Sequence, residues 1–223
     1  MTINTERLAY WYFRLNGFVG NESYIVLRGR NNSNHATDID YLGVRFPHRK
    51  ELYENKNNWM KDDENSKLFK YLPKGKLFIC LAEIKQGTPY FNDSWTNESL
   101  KTLEQLLLSL GCISIRNIPK VVKQLHKKGF CNIYKNYISF VAVGNSNISE
   151  EIPYNRIPII SWEEILFFIY NRLKDYKLEK YNLKEWSNFG EAKQLKEAAM
   201  KFNSFIEFKD NINISAEPLS QLN

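Results

Sequence analysis

Four charged residues on two short stretches of this chain could do chemistry together. Asp38 and Asp40 lie in Asp38-Ile-Asp-Tyr-Leu-Gly-Val-Arg-Phe46, and Glu83 and Lys85 close the apolar run Leu77-Phe-Ile-Cys-Leu-Ala82. That run is bounded by Pro73, Gly75 and Gly87, as a strand covered on both faces would be. Side chains alternate along a strand, so Glu83 and Lys85 emerge on one face, as do Asp38 and Asp40. Opposite charges at the end of a core strand are costly unless they pair, or a cation or substrate lies between them. Magnesium and manganese take oxygen ligands from one or two carboxylates plus water and phosphate. A lysine beside them can orient or deprotonate the attacking water and offset charge developing on phosphorus. An acid on one strand with Glu-x-Lys on the next therefore suits metal-dependent phosphodiester hydrolysis. The bland alternative is a structural ion pair of Glu83 with Lys85, and an Asp38 that caps a turn.

The elements that must position these residues follow from the same chain. Thr5 is a candidate cap for a helix over Glu6 to Asn16, stopped by Gly17, with Leu8, Trp11, Tyr12 and Leu15 on one face. Ser23 to Leu27 reads as a strand, Gly29 to Ala36 as a polar turn, and Asp38 to Phe46 as the acid-bearing strand. Residues 47 to 75 form a long charged connection, an insertion or functional loop. After Lys85, Thr96 is a candidate cap for a leucine-rich helix closed by Gly111, and a basic helix runs from Pro119 to Lys128. Tyr137 to Val143 reads as another buried strand, and Ile157 to Ile160 as a short edge strand. Ser161-Trp-Glu-Glu164 is a capping box opening a helix that buries Trp162, Ile165, Leu166, Ile169 and Leu173. A further helix spans Glu191 to Phe202, and Asn211 to Asn223 reads as a frayed polar tail.

These elements resemble the PD-(D/E)XK nuclease superfamily over roughly residues 5 to 145, in the order α-β-β-β-α-β. The carriers are the helix from Glu6 to Gly17-Phe18, then Thr37-Asp-Ile-Asp-Tyr-Leu-Gly-Val44, then Leu81-Ala-Glu-Ile-Lys-Gln86. Trp95-Thr96 before the leucine-rich helix looks like an uncharacterised bacterial branch of that superfamily. The resemblance implies an α/β fold with a restriction-endonuclease-like core: a central mixed sheet flanked by helices, and a helical C-terminal extension. It divides the chain into a nuclease-like domain, 1–175, and the extension, 176–223. It makes Asp40 and Glu83 the metal-binding acids, the Ile84 carbonyl a further ligand, and Lys85 the catalytic lysine. Glu6 falls where some members carry an auxiliary acid; Glu22 competes for that role, and Gln86 could contact phosphate. The signature's proline is missing, since Ile39 precedes Asp40. Alternation permits either aspartate as ligand, and the hydrophobic residues after Asp40 favour it.

The implied activity is a magnesium- or manganese-dependent deoxyribonuclease, with defence against foreign DNA as a setting. Its partners would be nucleic acid, DNA first, and a second copy of the chain or an ATPase or helicase-type protein. A net charge of +6 (31 Lys and Arg against 25 Asp and Glu) suits a polyanion without demanding one. A nucleotidyltransferase built on Asp38, Asp40 and Glu83 is the rival enzyme. Against it, Arg30 stands where serine is expected and Lys85 has no task. A non-catalytic nuclease-like DNA-binding or scaffold subunit is the third reading. The cysteines, Cys80, Cys112 and Cys131, have no metal-ligand spacing and read as thiols in a reducing compartment. His35, His48 and His126 likewise show no ligand spacing, and phosphate-binding glycine loops are absent. Lys120, Lys123, Lys127 and Lys128 read as a solvated helix face before a phosphate-contacting one. With no signal-like or membrane-spanning stretch, a cytoplasmic location without membrane contact is expected.

Overall fold

The computed structural model describes residues 1–27, 35–51, 59–62, 66–145, 152–177 and 190–216. The strands are β1 (Thr2–Asn4), β2 (Phe18–Leu27), β3 (His35–Arg45), β4 (Leu77–Ile84), β5 (Phe130–Ile133), β6 (Asn136–Gly144), β7 (Ile159–Ser161) and β8 (Asn213–Ser215). The helices are α1 (Thr5–Leu15), α2 (Lys67–Lys70), α3 (Asp93–Thr96), α4 (Thr102–Leu110), α5 (Ile118–Lys128), α6 (Trp162–Asp175), α7 (Gly190–Lys201) and α8 (Phe205–Asp210). The protein is α/β, with a central mixed sheet of order β2-β3-β4-β6-β5 and β7 also on β6. β2, β3 and β4 pair antiparallel, while β4 and β6 pair parallel.

Strand β4 shows why the sheet needs helices on both faces. Its Phe78, Cys80 and Ala82 pack with Leu8, Tyr12 and Phe13 of α1 and Ile165 and Ile169 of α6. The alternate residues, Ile79 and Leu81, pack with Leu103 and Leu107 of α4 and Val121 and Leu125 of α5. A strand buried on both sides reads as a continuous apolar run, as this one does. Residues 190–216 join the α1–α6 face, where Ala192, Leu195, Ala199 and Phe208 are fully buried. No helix among the described residues is long and apolar enough to cross a membrane.

Several expectations hold and several are corrected. Both halves of the Ser161–Glu164 capping box form, and the chain leaves α1 through Gly17, whose φ of +82° is the left-handed conformation glycine adopts freely. The α1 cap, however, is Asn4: its side-chain oxygen accepts the Glu6 and Arg7 backbone N–H groups at 2.8 and 3.2 Å, and Thr5 lies inside the helix. Strand β2 begins at Phe18, so Glu22 is a strand residue. Thr96 ends α3 and caps nothing; Lys101, at φ 54°, breaks the chain before the leucine helix starts at Thr102. Strand β5 was not legible as a strand and is formed by a hairpin turning at Tyr134-Lys135. Within the polar tail, Asn213–Ser215 is ordered as β8, paired parallel with β1. Gly29 and Arg30 lie outside the described residues, as does part of the 47–75 connection.

Candidate active site

Antiparallel pairing matches Tyr41 with Ala82 and Leu42 with Leu81, and one residue further the same register sets Asp40 opposite Glu83. There the ladder is completed by a side chain: the Ile84 backbone N–H donates to Asp40 Oδ2 at 2.6 Å. Lys85 lies just past the end of β4, its own N–H held by the Val143 carbonyl of β6 at 2.9 Å. Its ammonium nitrogen stands 2.8 Å from Glu83 Oε2 and 3.4 Å from Asp40 Oδ2. One cation therefore spans two carboxylates carried by adjacent strands.

Glu83 is only 2% exposed. Its other oxygen, Oε1, accepts a 2.6 Å hydrogen bond from the indole Nε1–H of Trp95, delivered by the short helix α3. Burial, reinforced by the Asp40 charge, pushes the Glu83 carboxyl up to about 7, against the lowering effect of Lys85. Asp40 is also raised, first by burial, with Lys85 and the Ile84 N–H opposing. For Lys85, burial acts downward, but the two carboxylates outweigh it and the ammonium is held above its usual range.

The turn after Lys85 is anchored on two sides. Trp162, the first residue of α6, donates its indole N–H to the carbonyls of Lys85 and Gln86, each at 3.2 Å. On the other side the Asn145 N–H donates to the Gly87 carbonyl at 2.8 Å. Gly144 permits that approach, because a Cβ there would fall 2.5 Å from the Gly87 oxygen. The Tyr90 ring lies 5.1 Å from the Lys85 ammonium.

The remaining expected residues separate by their partners. Glu6, at the start of α1, accepts from Ser23 Oγ at 3.3 Å; its carboxyl is raised by burial and then by the Asp40 charge, so it borders the site. Glu22 is instead paired with Arg7 at 2.6 Å, which also lies 3.5 Å from Glu191. Asp38 sits across from Ile25 in the β2–β3 register, and its charge reaches Asp40 and Glu6. The Lys85 ammonium pairs with Asp40 and Glu83. Gln86 turns to the C-terminal strand, its side-chain amide donating to the Ile214 carbonyl at 3.1 Å. Ile84 enters the site through its N–H.

No group of three or more His, Cys, Asp or Glu side chains among the described residues forms a ready metal cage. Asp40 and Glu83 nonetheless fit a magnesium-type site, which takes one or two carboxylates and completes its shell with water and phosphate. Buried Glu83 Oε2, moreover, has the Lys85 ammonium close by but no well-directed hydrogen bond. The sequence reading missed Trp95, Trp162 and Tyr90 as parts of the site. Trp95 carries the one usable signal: an indole in the polar stretch Asn92-Asp-Ser-Trp-Thr-Asn97 has an N–H that must find an acceptor when buried.

Comparison of the chain with protein-family models, with curated proteins and with solved structures found no match.

Proposed function

We propose that the protein is a metal-dependent nuclease with a restriction-endonuclease-like core that hydrolyses phosphodiester bonds in DNA. The observation that carries this reading is the Lys85 ammonium lying between Asp40 and Glu83 at the end of two adjacent core strands. The order α1-β2-β3-β4, then helices, then β6 parallel to β4, with the short β5 inserted before β6, supports it as close to the arrangement the resemblance implies. Asp40 and Glu83 are the residues that would hold a magnesium or manganese ion, which when bound supplies Lewis-acid polarisation of the phosphoryl oxygen. Lys85 orients the attacking water and offsets charge gathering on the phosphoryl oxygens. Trp95 fixes the rotamer of Glu83 so that Oε2 faces Lys85, and Glu6 adds negative charge beside Asp40. A structural ion pair alone would not need two acids on one lysine, both with carboxyls raised by burial. The transferase reading leaves Lys85 without a task. Defence against foreign DNA is the setting the resemblance suggests, with a second copy of the chain or an ATP-driven protein as partner.

The test incubates the purified chain with supercoiled plasmid and with single-stranded DNA, with and without magnesium or manganese. Metal-dependent nicking that falls roughly a hundredfold or more in Lys85→Ala and in Asp40→Asn is expected. Nucleotide incorporation that ignores Lys85→Ala would replace this reading with the transferase. DNA binding without cleavage, unchanged in both variants, would leave a binding subunit.

A further inference from the structure

At the opposite end of the β3–β4 pair from Lys85 a cavity of about 620 Å³ opens between the end of β3, residues 59–62 and the turn before β4. Among the described residues that line it, five are cations (Arg45, Arg49, Lys50, Lys74 and Lys76) and Asp62 is the one acid. The geometry points to a nucleotide-binding site, in which this cluster takes a phosphate chain and Trp59 takes the base.

The cations are positioned by the fold. Arg45 lies over the Phe69 ring at 4.9 Å, donates through Nε to the Asn16 carbonyl at 2.9 Å, and pairs with Asp62. Arg49 pairs with Asp62 and Glu51 and crosses Gly17, where a Cβ would collide with its Cδ. Any larger residue at position 17 would make the Arg49 side chain shift. Asp62 also receives buried Arg172 at 3.3 Å, so the two carboxylates, Asp62 and Glu51, are shared among three guanidiniums. Lys50 and Lys74 are exposed, and among the described residues that line the opening cations outnumber acids. A planar guanidinium has five donors, so Arg45 and Arg49 keep some beyond those given to Asp62 and Glu51.

Size and shape narrow the ligand. The volume falls in the range of small-molecule sites and is far larger than one inorganic phosphate requires. Trp59 lines the same space, is 42% exposed, and has the Lys50 ammonium 4.7 Å from its ring centroid. A flat indole beside several cations provides a stacking surface next to a phosphate clamp, the pair of features a nucleotide uses. Asp40 and Arg45 stand five positions apart on β3, roughly 16 Å along a strand, so this site is distinct from Lys85.

The experiment titrates the full chain calorimetrically with tripolyphosphate and with ATP, in EDTA so that no metal bridges to Asp40 or Glu83. Both should bind, more weakly as salt rises. The double variant Lys50→Glu/Lys74→Glu, which changes two exposed residues, should weaken both by about tenfold or more. Trp59→Ala should weaken ATP and leave tripolyphosphate unchanged, and Lys85→Ala should change neither. No binding of either probe at millimolar concentration, or binding that survives the charge reversals, overturns the site. ATP binding indifferent to Trp59→Ala overturns the base assignment. None of these readouts uses cleavage, so failure here and failure of the nuclease reading are separable.

Discussion

At the Lys85 end of the β3–β4 pair one ammonium is shared by two carboxylates; at the other end one carboxylate, Asp62, is shared by three guanidiniums. Both clusters are largely removed from water, yet they differ in what the shared ion does. Asp62 ties residues 59–62 to β3 and, through Arg172, to α6 and the Leu15 carbonyl at the end of α1. It neutralises side chains that would otherwise be buried and like-charged. Around Lys85 the surplus charge sits on acids whose carboxyls are raised because burial opposes ionisation. The Asp62 cluster is an internal clamp, and the Lys85 cluster is short of cations. The difference predicts opposite signs when one acid is removed from each.

The largest effect is expected at Asp62. Asp62→Ala leaves three guanidiniums without their shared carboxylate, including that of Arg172, whose side chain is 1% exposed. Removing one partner from a buried ionic cluster typically costs about 3–5 kcal/mol. Chemical denaturation at pH 7 measures it, and a loss below about 1 kcal/mol would break the comparison by making the arginine cluster as expendable as a surface pair.

Removing charge from Glu83 should do the reverse. Its native carboxyl is pushed to about 7 from an ordinary 4.5, so between those values the folded state binds more protons than the unfolded one. Stability therefore falls as pH rises through that window and levels off above it. Glu83→Gln keeps the acceptor for Trp95 and cannot ionise. It should raise metal-free stability at pH 8 by about 1–3 kcal/mol, with a much smaller gain at pH 4.5. Denaturant midpoints at the two pH values decide the matter, and parallel profiles for the two proteins would show that Glu83 is not held under strain. The same variant should lose cleavage, since a site that costs stability and supplies activity is what a functional reading requires.

The two ends also differed in how much of them could be read from the chain. Glu83 and Lys85 were legible because charge interrupts an apolar strand, and alternation puts both on one face. Asp40 was legible as a candidate, but its choice over Asp38 needed the β3–β4 register, a pairing between residues more than 40 positions apart. The sheet and the α6 capping box were readable for the same reason, that their signals are local. The α1 cap was misplaced by one residue because Asn4 and Thr5 are both competent and only the β1 contact decides between them. The arginine cluster was not readable at all. Arg45, Arg49, Asp62 and Arg172 are scattered over some 130 positions with no spacing pattern, and tertiary packing alone assembles them. The ordering of residues 213–215 was hidden similarly, since Asn-Ile-Ser in a polar tail becomes a strand only when β1 lies beside it.

Trp95 offers the smallest effect and the finest discrimination. Trp95→Phe keeps most of the buried ring and removes the N–H that Glu83 Oε1 accepts. That bond favours the ionised carboxylate, so its loss should drive Glu83 further above its ordinary range. The cost of the missing bond, about 1 kcal/mol or somewhat more, should therefore appear at pH 8, where the folded protein must carry the charge. At pH 5 both proteins hold Glu83 protonated, and the packing difference should remain together with the smaller cost of a bond to a neutral carbonyl oxygen. Paired denaturation curves at pH 5 and pH 8 make the measurement. A penalty of the same size at both values would mean that Trp95 does not favour the ionised form of Glu83. A penalty larger at the higher pH would make it the positioning residue of the acid, tuning the one cluster of the two in which charge is left unbalanced among carboxylates.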